Sequence, residues 1–449
     1  MSDPLFWHRV QFGFTIAYHY LFPQLTMGLA LLIVVLKVQA LRTGEARWAD
    51  AARFWIRLFG LNFAMGVATG VPMEFQFGTN WARFSAYAGG VIGQTLAMEG
   101  IFAFFLESSF LALLVFGERR LGPKLHLAAA VALFLGSWLS GYFIVTTNAF
   151  MQHPVGHSIA ADGTLQIADL RTFLLNPWAV AQYAHTMMAS VVTASFVMAA
   201  VGAFWLLRDK YREPALVSLR TGVVAGLISS VLVAMPTGHA QGQLVATHQK
   251  PALAAMEGRF ESGPMAPVAM IGQPNVAERR LDNPIAIPGV LSYIAYGDFS
   301  KNVQGLSEFP VDLWPTNVEL LYYAFHIMVG LGTLLIALAA LATLELLRGK
   351  LATGKPLLWV LMLAFPFPYI ATTAGWMTAE LGRQPWLVYG LLRTADGASP
   401  TVHGGSALFT LIGFAGLYLV LGLLFLFLVG REVGHGPRPL ERAVAPVVL

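Results

Sequence analysis

Nine apolar runs, each near the ~20 residues a helix needs to cross a hydrocarbon core, govern what this chain can fold into. They fall at roughly 14–41, 53–76, 92–117, 125–147, 178–207, 218–239, 317–346, 356–380 and 403–430. Lipid offers the backbone no hydrogen-bond partners, so runs of this length become helices that pack as a bundle. Composition agrees: 56% of residues are hydrophobic and 12% charged, against about 25% charged in a soluble domain. The fold class is an all-α polytopic membrane protein, one membrane domain over 1–449. The one long hydrophilic stretch, Ala240 to Pro315, is rich in Pro, Gly and Asn and is expected to be a loop with short helices.

The formal charge of +4 sits in short connections between apolar runs, which argues against nucleic-acid binding. Placing the amino terminus outside puts 18 of the 28 Lys and Arg inside, Arg442 among them, with the carboxyl terminus inside and the long loop outside. The first run carries Arg9 and His19 and continues as a full-length span, so no cleavable signal peptide is expected. With no cysteine, disulfides, iron–sulfur clusters and thiolate-held metals are excluded, and a redox cofactor would hang on His, Met or carboxylate.

Ionisable residues at membrane depth cost at least ~2.5 kcal/mol on insertion scales, so they generally face a cavity, an ion path or a cofactor. The run GWMTAELGRQPW, Gly375 to Trp386, places Glu380 and Arg383 at the end of an apolar segment. An interfacial ion pair, three residues apart on one helix face, is the simpler alternative. His19 lies in the first run, Glu99 and Glu107 in the third, His185 in the fifth. On a regular helix the two glutamates stand about 80° apart and ~12 Å along the axis, which suits a proton ladder. His185 is a candidate haem ligand. In YYAFHIMVGLG, His326 and Met328 lie about 200° apart, so only one of them can pair with it. Residue geometry leaves that choice open.

Six segments, in collinear order from about residue 5 to 430, carry a specific resemblance: the stretch around His19, MEFQFGTNW at Met73 to Trp81, the third-run glutamates, NAFMQHPVG at Asn148 to Gly156, FHIMVGLG and GWMTAELGRQPW. Together they resemble subunit I of the cytochrome bd-type quinol oxidases. The resemblance implies three haems: a low-spin haem b held by His185 and Met328, and a high-spin haem b and a haem d, or a third haem b, held by His19 and Glu380. It implies Arg9, Arg383 and Trp376 as cofactor neighbours. Glu99 and Glu107 would lie along a proton route from the cytoplasm, with Ser108, Ser140 and Asn148 as polar neighbours. The 240–315 segment would be an extracytoplasmic quinol-binding loop of the short kind, with Glu257 and Lys250 in the donor site. Further implied are a heterodimer with subunit II, a small single-helix subunit, and a bacterial cytoplasmic membrane. In the implied reaction, quinol releases its protons outside and O2 is reduced to water with protons drawn from inside, without a proton pump.

Two departures from the family pattern stand out. In HQKPALAAMEG, Ala252 occupies the position where the family usually carries lysine, and Lys250 is displaced by two; His326 stands where many members carry arginine. The rival readings are a secondary transporter, disfavoured by the absence of inverted repeats, and a haem-b electron carrier without oxygen reduction.

Overall fold

The computed structural model describes residues 3–438, so Arg442 lies outside the described residues. Among these, nine helices are long and apolar enough to cross a membrane: Pro4–Thr43, Ala46–Thr79, Ala82–Phe116, Glu118–Gln152, Leu170–Leu207, Arg212–His248, Val318–Leu347, Lys355–Arg383 and Gly404–His435. They are called the first to ninth spans below. Spans alternate in direction, so Pro4, Thr79, Gln152, His248 and Arg383 all belong to the face that carries the long loop.

The first span begins well before the expected residue 14. Its opening turn is too polar for a hydropathy window, yet Pro4 occupies the first helical turn and the Asp3 carboxylate accepts from Leu5 N at 3.0 Å. The sixth span overruns into the stretch read as loop: HAQGQLVATH is polar but helical, His239–His248. Two spans contain π turns, Phe102–Glu107 and Val233–Gly238, the second around Pro236, which has no N–H to give to a regular ladder.

Small residues set how closely the helices approach. A Cβ on Gly28 would lie 2.1 Å from Ser190 O, and one on Gly222 would lie 2.4 Å from Ser195 O, which locks the first and sixth spans against the fifth. Leu29, Phe54, Trp55 and Trp205 fill the core there, and Trp55 Nε1 donates to Ser218 Oγ at 3.1 Å. The third and ninth spans bury little of their surface in this chain and stand at its periphery.

The long loop is folded. A short helix, Lys250–Met256, leads to a hairpin whose strands β3 (Val268–Asn275) and β4 (Arg280–Ile287) are numbered after the small pair β1 (His157–Ile159) and β2 (Leu165–Ile167). Ala254, Ala255 and Phe260 pack with Trp314, Val318 and Leu321 at the head of the seventh span. The hairpin is the element that the reading of a loop with short helices lacks.

Candidate functional site

On the fifth span, His185 presents Nδ1 to the carbonyl of Val233 at 3.1 Å. That carbonyl opens the π turn, and Nδ1–H donating to it leaves the Nε2 lone pair free. Gly238 closes the same turn; a Cβ there would lie 3.4 Å from His185 Cε1.

His19 is oriented in the same way from a different helix. Thr69 Oγ1 donates to Met65 O at 2.8 Å, so its lone pair accepts from His19 Nδ1 at 3.1 Å and Nε2 is again the free nitrogen. A Cβ on Gly70 would lie 2.9 Å from His19 Cε1.

In the seventh span, the two candidates separate. Met328 Sδ rests against the eighth span at Gly375, where a Cβ would come within 2.8 Å of it. Both nitrogens of His326 face backbone carbonyls, Nδ1 at 2.8 Å from Tyr322 O and Nε2 at 2.8 Å from Ala269 O, and the one that carries the proton donates. Its ring stacks on that of Tyr322 at 3.9 Å. With a carbonyl oxygen at contact distance from each, neither nitrogen of His326 points into open space where iron could bind.

Glu380 sits at the centre of a network from three spans. Oε2 is bound by Arg383 Nη2, so the expected pair forms. Oε1 accepts from Asn148 Nδ2 at 2.7 Å, and Asn148 Oδ1 accepts from Gln182 Nε2 at 2.8 Å. Arg383 is only 3% exposed, and its Nε and Nη1 have no partner. A buried guanidinium with unused donors is poorly suited to anchoring at a water interface and well suited to an anionic group such as a haem propionate. Trp376 lies half-buried one turn before Glu380, while Arg9 is exposed on the first span.

These observations fit haem. Two histidines present one free nitrogen each, a thioether and a carboxylate complete the donor set, and glycines lie where a Cβ would crowd His19, His185 and Met328.

Glu99 and Glu107 share the third span, but the π turn Phe102–Glu107 lies between them, so the regular 100° spacing is not kept. Glu107 is buried beside Ser137, and Glu99 is half-buried beside Ser140. Glu74 on the second span lies within electrostatic reach of Glu99. Glu74 belongs to the MEFQFGTNW segment, where only its depth in an apolar span marks it.

On the loop side, Glu257 follows the short helix Lys250–Met256 and is buried with Oε2 unpartnered. Burial pushes its carboxyl up to about 8, against smaller opposing effects of the Ala269 backbone and Arg259. Tyr322 is equally buried, and its hydroxyl is also unpartnered. Its ring packs on Gly258, whose φ of +61° suits glycine. A tyrosine in an apolar helix reads as packing, which is why this one escaped notice in the sequence. Lys250 stands at the opposite end of the short helix, exposed and in the field of Glu308.

Comparison with known proteins follows the same lines. Residues 7–437 match the family described as cytochrome bd terminal oxidase subunit I. Cytochrome bd ubiquinol oxidase subunit 1 of Bacillus subtilis is 36% identical over 438 residues, covering 95% of this chain and 93% of that protein. Cytochrome bd-II ubiquinol oxidase subunit 1 of Escherichia coli is 32% identical over 507 residues, with 98% of each covered. The structure of bd oxidase from Geobacillus thermodenitrificans superposes with a TM-score of 0.90 at 30% identity, covering 97% of this chain and 99% of that one.

Proposed function

This chain belongs to the cytochrome bd terminal oxidase subunit I family, and from that premise we propose how its residues divide the work. It is the catalytic subunit of a respiratory quinol:O2 oxidoreductase, a multi-pass membrane protein that carries haem and pairs with a subunit II. The finer assignments are our reading.

His185 and Met328 hold the low-spin haem b. The observation that supports this is that carbonyl oxygens abut both His326 nitrogens, whereas Met328 Sδ rests against the bare backbone of Gly375. A methionine–histidine pair also raises the reduction potential relative to two histidines. His19 and Glu380 serve the two high-spin haems, a haem b and a haem d or third haem b, with Arg383 and Trp376 close by and Arg9 nearer the loop-side surface. Bound haem supplies electron storage and the oxygen chemistry.

Glu257 and Tyr322 form the donor site. Their two unpartnered oxygens suit the hydroxyl groups of quinol, and ionised Glu257 takes the proton that quinol releases. Lys250 stays at the rim of this site. Glu107 and Glu99 hold protons in transit toward the high-spin side, with Ser137, Ser140 and Glu74 as neighbours. The loop side faces outward, and the opposite face, rich in Lys and Arg, faces the cytoplasm of a bacterium. Protons released on one side and consumed from the other then separate charge without a pump, each elementary charge being worth about 2.3 kcal/mol per 100 mV. A small single-helix subunit completes the assembly.

The test is spectroscopic and kinetic. The purified complex should show three haems by pyridine haemochrome and consume O2 with quinol. A low-spin haem b alone, with no O2 uptake, would favour an electron carrier instead.

A further inference from the structure

We infer that the hairpin β3–β4 seats its open end at the headgroup–acyl boundary of the loop-side leaflet, in contact with bilayer lipid, while its turn stays in water. The seventh span serves as a ruler. At the turn, Arg279 Cζ lies 5.5 Å from the ring centroid of Trp314, which precedes the helix that starts at Val318. Toward the open end, Ala269 O meets His326 Nε2 at 2.8 Å, and His326 lies eight residues past Val318, ~12 Å along the axis at 1.5 Å per residue. The six steps along the strand from Ala269 to Asn275 cover ~20 Å at 3.3 Å each, enough to reach from His326 up to Trp314. The hairpin therefore runs alongside the seventh span with its open end lower.

Its side chains are partitioned along that direction. Met270, Ile271, Ile285 and Ile287, at the open end, are between 49% and 61% exposed. Glu278, Arg279, Arg280 and Asp282 gather at the turn, where Arg280 pairs with Glu278 at 2.7 Å and with Asp282 at 2.6 Å. Apolar residues below and charges above match the polarity step of an interface. Leu320, Tyr323 and Ile327 of the seventh span are exposed over the same depth, so the apolar end continues the surface of that span.

The backbone is adapted to the same place. An open sheet edge with free N–H and C=O groups is costly in lipid. Pro267, Pro274, Pro284 and Pro288 remove four donors from the hairpin and its flanks, and His326 satisfies the carbonyl of Ala269. In water, the same exposed apolar edge would invite aggregation.

The chain has no cysteine, so single-cysteine labelling is direct. Ile285→Cys and Ile271→Cys at the open end, and Ala277→Cys at the turn, are labelled with bimane in the assembled oxidase in nanodiscs, any cysteines of the partner subunit first being replaced. Unchanged haem absorbance and unchanged artificial-donor O2 uptake verify each variant. Labels at 285 and 271 should be quenched several-fold more by acyl-chain nitroxide lipid than by aqueous iodide, and the label at 277 should show the reverse. Iodide quenching at 285 and 271 equal to that at 277 would overturn the inference by placing the hairpin in water. Protection of 285 and 271 from both quenchers would overturn it in favour of a protein partner.

Discussion

Asn148 Nδ2 donates to Glu380 Oε1 at 2.7 Å, joining the fourth span to the eighth. The two residues are 232 positions apart, and their contact turns an ion pair within one helix into a fixed site between helices. With Arg383 on one carboxylate oxygen and the Asn148 amide on the other, Glu380 has one orientation rather than several. Gln182 in turn fixes Asn148.

Removing that amide should loosen whatever Glu380 holds. Asn148→Ala deletes a hydrogen bond to a charged group, worth ~1.5–3 kcal/mol, which corresponds to roughly tenfold or more in cofactor retention. The expected result is a loss of high-spin haem per protein by pyridine haemochrome, with the low-spin signal unchanged. Full retention of all haem would remove Asn148 from the site.

The low-spin pair gives a sharper contrast. Met328→Ala should convert the low-spin haem to high spin, because it removes the proposed thioether ligand while both nitrogens of neighbouring His326 face backbone carbonyls. His326→Ala should leave it six-coordinate while freeing Ala269 O and loosening the hairpin. Resonance Raman spectra showing the reverse would favour bis-histidine ligation.

Glu107 offers a test of proton delivery. It is buried beside Ser137 and ends the π turn inside the third span. Glu107→Gln keeps the shape and removes the titrating group, so turnover should fall ~10²-fold or more, the usual contribution of a positioned proton donor. Haem content should stay intact. Unchanged O2 consumption would mean that protons take another route.

Much of this was legible in the sequence because lipid imposes a simple rule: a backbone without water must be helical, and a charge at depth needs a reason. The nine spans among the described residues and the separate positions of His19, His185, Glu107 and Glu380 follow from that rule. The hairpin does not. Its prolines and bulges break the two-residue alternation that marks a strand, and its register shifts between Ala269 and Ile271 and between Ile271 and Gln273. Nor does the Asn148–Glu380 contact, since spacing along a chain carries no information about which helices become neighbours. Tyr322 was hidden by its chemistry, because only the unpartnered hydroxyl beside Glu257 distinguishes it from ordinary packing.

The donor site makes the last prediction. Glu257 lies outside the spans, and burial raises its carboxyl to about 8, so near neutral pH it is mostly protonated and cannot accept a proton. It becomes a base only as pH rises through that value. Quinol-driven O2 uptake should therefore increase across roughly pH 7–9, whereas uptake driven by an artificial donor that reaches the haems directly should not follow the same curve. Glu257→Gln should abolish the rising limb and depress the quinol reaction alone. Tyr322→Phe removes one hydrogen bond, worth about 1 kcal/mol. It should raise KM for quinol roughly fivefold while leaving the pH profile and the artificial-donor rate in place. Equal loss with both donors would point to a defect in folding or haem insertion, and no loss with either would mean that electrons enter elsewhere.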